Sequence, residues 1–147
     1  MFRFRFRFEV LLKVKRVKKD IALQAFATAQ RYFYALQSEK MGCLNTIAKA
    51  GDELLELFKR EVKADELMLF YNYQTYLLDK IKDLEQEIEQ AGQELERKRE
   101  QFMKTRKEFK AIARLKDIRM ERYNIEQGKL EMKVIDEMAV TRHTRAQ

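Results

Sequence analysis

The chain contains no proline or tryptophan, only four glycines, and a single cysteine and a single histidine in 147 residues. A fold with many tight turns draws on proline and glycine to make them, so their scarcity argues against sandwiches, barrels and loop-rich α/β domains. One cysteine, Cys43, excludes an internal disulfide and suits a reducing compartment, where it reads as a small buried apolar residue. Cys43 and His143 alone cannot assemble a metal site. The apolar runs fall far short of the ~20 residues that span a bilayer, and the amino end interleaves charge where a signal peptide needs a continuous apolar core. The expectation is a soluble, intracellular protein of one domain. No glycine-rich phosphate loop and no Ser/His/Asp pattern are present, so an enzyme and a cofactor are not expected.

What the chain does have is charge and helix formers. Charged residues make up 37%, with a formal net charge of +7, and the rest is rich in Leu, Ala and Gln. From Ile81 onward apolar residues recur every three or four positions. Ile81, Ile88, Leu95, Phe102, Phe109, Tyr123 and Leu130 share one heptad position, and Lys98 and Lys116 interrupt the seam. The first half offers a partner face through Leu11, Val14, Ala22, Ala25, Ala29, Tyr32, Leu36, Cys43, Ile47, Ala50, Leu54 and Leu57. The pattern predicts an all-α fold, a long antiparallel two-helix coiled-coil hairpin.

The turn between the helices has three candidates: the surroundings of Gly42, the Gly51 and Asp52 pair, and the polar run KREVKADE at residues 59–66. The last is preferred, because Asp65 can cap a new helix and both flanks are apolar. Helix one is then expected over about residues 9–59, the bend over 60–65 and helix two over 66–140, with frayed termini. At 1.5 Å per residue these helices are ~75 and ~110 Å long, so the second overhangs the first near the amino terminus.

That terminus reads MFRFRFRFEV. Strict alternation places Phe2, Phe4, Phe6 and Phe8 on one side of an extended chain and Arg3, Arg5 and Arg7 on the other. No other segment alternates to pair with it, so a strand is not expected. The expectation is a short extended or frayed lead-in to helix one, presenting its side chains at the tip.

Charge is segregated. The amino-terminal 19 residues and the stretch from Arg97 to Arg122 are basic, whereas Asp52, Glu53, Glu56, Asp65, Glu66 and much of residues 79–96 are acidic. The carboxylates of DKIKDLEQEIEQ read as a solvated helix face. In a hairpin the two basic stretches lie together and suit an acidic partner. The run LMLFYNYQTYLL, residues 67–78, has more aromatics than one seam can hold. Extending the heptad turns Leu67, Phe70, Gln74 and Leu77 inward and leaves Tyr73 and Tyr76 free for an interface.

Three stretches resemble the flagellar FliJ family. FRFRFEVLLKVKR, residues 4–16, is similar to its F-x-F-x-L-E-x-L-L-x-L-R opening, with Phe8 where leucine is usual. ADELMLFYNYQTYLLDKI, residues 64–81, resembles the start of its second helix. KLEMKVIDEMAVTRH, residues 129–143, resembles its closing D-E-x-A-x-x-R pattern through Asp136, Glu137, Ala139 and Arg142. The resemblance implies a non-enzymatic stalk and escort protein of the flagellar type III export apparatus, cytoplasmic and peripheral at the inner face of the membrane. It implies two partners, the hexameric export ATPase FliI and the cytoplasmic domain of the export gate FlhA, and contact with export chaperones. By that likeness Phe8, Leu11, Leu12, Lys13, Arg16, Asp136, Glu137 and Arg142 would face the ATPase. Tyr73 and Tyr76 would face the gate, with Lys80 standing where an apolar residue is common. The competing readings are an injectisome stalk, a basic coiled coil that binds nucleic acid in a salt-sensitive way, and a self-associating coiled coil.

Overall fold

The computed structural model describes residues 3–147; Met1 and Phe2, the latter part of the Phe/Arg alternation, lie outside the described residues. Two helices account for nearly all of it, α1 over Glu9–Phe58 and α2 over Ala64–Ala146. No strand occurs among the described residues. The fold is the expected antiparallel two-helix hairpin.

The turn falls within the KREVKADE run. Lys59 N–H donates to the Glu56 carbonyl at 3.3 Å and Arg60 N–H to that of Leu57 at 2.9 Å, closing α1. The Lys63 carbonyl then accepts from Glu66 at 3.1 Å and Leu67 at 3.3 Å, opening α2. Asp65 is therefore not the cap. It lies with Glu66 in the first turn of α2, where a carboxylate faces the positive end of the helix dipole. No described residue takes a positive φ. Gly42 and Gly51 sit inside α1 and Gly92 and Gly128 inside α2.

The chain divides into two compact units. The second, Ile21–Phe102, holds a cluster of Leu36, Cys43, Leu77, Ile81, Leu84 and Ala91, with Phe33, Ile47 and Ile88 packed against it. Rings of Phe26 and Phe102 stack at 6.0 Å and 6°. The row of α1 turned inward here is Ala22, Phe26, Ala29, Phe33, Leu36, Lys40, Cys43, Ile47, Ala50, Leu54 and Leu57, a continuous heptad seam. Tyr32, expected inside, is exposed, and Phe33 takes its place. Gln74 is likewise exposed, lining an open cleft with Leu54, Leu67, Met68, Phe70 and Tyr71.

The first unit joins the chain up to Asp20 to Met103–Gln147. Its α1 seam runs through Leu12, Lys15 and Lys19. Leu11 and Val14, expected inside, are exposed, and Leu12 is buried instead. The heptad seam predicted for α2 packs as far as Tyr123 and then stops: residues 128–147 are exposed one and all.

Candidate interaction surfaces

Cations occupy seam positions in both units, and each has an answer. In the first unit Lys15 Nζ meets Glu108 Oε2 at 3.0 Å, and Lys116 Nζ meets Glu9 Oε2 at 3.0 Å. Lys19 Nζ lies 4.5 Å from the Phe109 ring centroid, with the Arg16 guanidinium at 5.6 Å from the same ring. In the second unit Lys40 pairs with Glu85 at 3.2 Å and Lys98 with Glu94 at 3.7 Å. Their methylene stems cover the seam while the charged heads reach its edge. The Glu108 carboxyl is held below the ordinary carboxylate range, chiefly by its hydrogen bond from Lys15 and then by that ammonium's charge. Lys80 donates to Glu39 at 3.4 Å, and this hydrogen bond raises its pKa.

The Phe/Arg arm packs rather than frays. Phe6 is 8% exposed, Phe4 and Phe8 are half-buried, and Arg3, Arg5 and Arg7 face solvent. The alternation is thus real, but its partner is a helix and not a strand. Phe4 meets Tyr123 at 5.5 Å, Phe6 meets Phe8 edge-on at 5.9 Å, and the Arg119 guanidinium lies 5.3 Å from the Phe8 ring and 5.9 Å from that of Phe6. Arg119 falls at a heptad position of α2, and the two rings supply there what α1, starting only at Glu9, cannot reach.

Of the residues assigned to the ATPase, the first unit gathers Phe8, Leu11, Leu12, Lys13 and Arg16 at the start of α1. Leu11, Lys13 and Arg16 are exposed, whereas Leu12 is 3% exposed and holds the seam together. Asp136, Glu137 and Arg142 belong to the same unit but lie on the unpaired stretch of α2, each exposed. In the same unit Lys13, Arg16 and Lys18 of α1 and Lys104, Arg106, Lys107, Lys110 and Arg114 of α2 make the surface strongly basic. In the second unit Tyr73 is 47% and Tyr76 60% exposed. Sequence reasoning passed over an acidic cleft in that unit, lined by Asp52, Glu53, Glu56, Leu57, Arg60 and Phe70. No group of His, Cys, Asp and Glu able to hold a metal ion occurs among the described residues, and no described helix is long and apolar enough to cross a membrane.

Clefts open to solvent, a seam of snorkelling cations and long exposed helix faces define a protein of the helical-hairpin class. Within that class, the chain belongs to the FliJ family: the family model described as flagellar FliJ protein matches residues 4–147. Membership associates it with the type III export apparatus of the flagellum. No curated protein matches significantly. Among solved structures it resembles a protein from Chlamydia trachomatis described as a YscO homolog, with a TM-score of 0.51 and 21% identity, over 97% of this chain and 96% of that one. That likeness is one of fold.

Proposed function

We propose that the protein is the stalk and escort component of the flagellar export apparatus. The first unit enters the ring of the hexameric export ATPase, and the second meets the cytoplasmic domain of the export gate. The observation that carries this reading is the division of surfaces: the basic residues and the unpaired stretch of α2 belong to the first unit, the exposed tyrosines to the second. Leu11, Lys13 and Arg16, with Asp136, Glu137 and Arg142, make the ATPase contact, and Phe8 and Leu12 support it from beneath. Tyr73 and Tyr76 make the gate contact beside Lys80, whose bond to Glu39 turns its charge toward α1. The mechanism is mechanical and electrostatic. An asymmetric cationic end biases acidic loops of a ring, and the helices relay the consequence.

By this account the protein acts at the cytoplasmic face of the inner membrane through its partners, and it escorts export chaperones there. The fold likeness to the YscO homolog supports a second reading, the equivalent stalk of an injectisome. The discriminating experiment is ATP hydrolysis by the flagellar export ATPase as the chain is added, compared with the injectisome ATPase and with a variant lacking residues 1–8. Stimulation of the flagellar enzyme that depends on those residues supports the stalk. Tight DNA binding with a steep salt dependence, and no effect on either ATPase, would favour the basic nucleic-acid binder instead.

A further inference from the structure

The seam of α2 does not simply run past the start of α1. It changes face. Continued beyond Tyr123, the heptad positions that meet α1 become Glu126, Leu130, Lys133 and Glu137, three of them charged. A different row turns apolar over the same stretch: Ile125, Gly128, Met132, Ile135 and Ala139, at alternating spacings of three and four. All five are exposed, Met132 at 62% and Ile135 at 60%. This row is rotated away from the phase that serves α1, and it has the spacing of a face that packs on another helix.

The row is complementary to itself. Laid antiparallel so that Met132 of one copy meets Ile135 of the next, it sets Gly128 against Ala139, two small residues that let the backbones approach, while the large residues fill the centre. In the flanking positions the same register places Lys129 opposite Asp136, and the two-fold axis repeats that pair. Among the described residues neither Lys129 nor Asp136 makes an ion pair. Gly128 has nothing within 4 Å of where a Cβ would stand, so the approach is open.

We infer that a second copy of the chain docks antiparallel on this row, centred on residues 128–139, to form a two-fold dimer. The overlap is shorter than a standard interface of ~1,600 Å², so the dimer is weak, dissociating at micromolar concentration. The pairing itself needs no export machinery. Its consequence does rest on the stalk reading: Asp136 is shared, so a paired copy cannot offer this stretch to the ring, and free protein keeps its contact surface covered until the ring competes for it.

Sedimentation equilibrium on the full chain tests the pairing, with Lys129→Asp, Asp136→Lys and the double exchange compared at low salt. Each single reversal sets like charges against each other twice and is expected to weaken the dimer about tenfold, while the double exchange restores it. Mixing Gly128→Cys with Ala139→Cys, at the position opposite it in this register, and oxidising is expected to give the mixed disulfide-linked dimer in excess over either self-linked one. A monomer at all concentrations, single reversals without effect, or a double exchange that fails to rescue would overturn the inference. Because no ATPase is present, these outcomes are independent of whether the chain stimulates one.

Discussion

Replacing Phe6 with alanine should release the amino-terminal arm without unfolding the hairpin. Phe6 is 8% exposed and touches both the Phe8 ring and the Arg119 guanidinium. Burial of a phenylalanine side chain is worth about 1.5–3 kcal/mol, and its ring contacts add about 0.5–1 kcal/mol. Arg119 keeps its closer contact with Phe8, at 5.3 Å, so part of this survives the substitution. A local loss of about 2 kcal/mol follows, or roughly 30-fold in the equilibrium between docked and released arm. Amide hydrogen exchange reads it directly, at Glu9 and Leu12, whose N–H groups donate to the carbonyls of Phe6 and Phe8. Protection there should fall about 30-fold while amides around Leu36 and Ile81 are unaffected. Arg5→Ala, a change at an exposed position, is the control and should leave protection intact. Unaltered protection in Phe6→Ala would refute the claim that aromatic packing holds the arm.

Three further outcomes follow from the packing and the charges. Ile81→Ala, in the cluster of the second unit, should cost about 2–3 kcal/mol in urea denaturation, the lower part of the usual range because no side chain here is completely buried. Gly51→Ala should raise stability by about 0.5–1 kcal/mol, since Gly51 is inside α1 with nothing within 4 Å of a new Cβ. Glu108 is lowered in pKa by Lys15, so its contribution is complete above the ordinary carboxylate pKa and fades as pH falls through the depressed folded value. Glu108→Gln should therefore flatten the acid side of a plot of Tm against pH and leave the alkaline side in place.

How much of this was legible beforehand differs between the two helices. The α2 seam from Ile81 to Tyr123 could be read because its apolar residues dominate their heptad positions. On α1 hydropathy favours Leu11, Val14 and Tyr32 for the core, one position away from the Leu12 and Phe33 that fill it. The cause is Lys15, Lys19 and Lys40, which occupy true seam positions; hydropathy rejects them, and only the facing Glu108, Glu85 and the Phe109 ring show how they fit. The arm was legible as extended from its alternation of Phe and Arg. That it packs on α2 was not, because its docking depends on where Arg119 and Tyr123 arrive after more than a hundred intervening residues, a matter of helix register. The contact residues came from motif likeness, and the burial of Leu12 now separates support from surface.

As the proposed stalk, the protein meets two different partners with its two units. Photo-cross-linking distinguishes them, with a photoreactive residue placed separately at Lys13, Glu137 and Tyr76 of the full chain, in the presence of purified export ATPase and gate domain together. Lys13 and Glu137 should capture the ATPase and Tyr76 the gate domain. Capture of one and the same partner from all three positions, or exchange of the two, would contradict it.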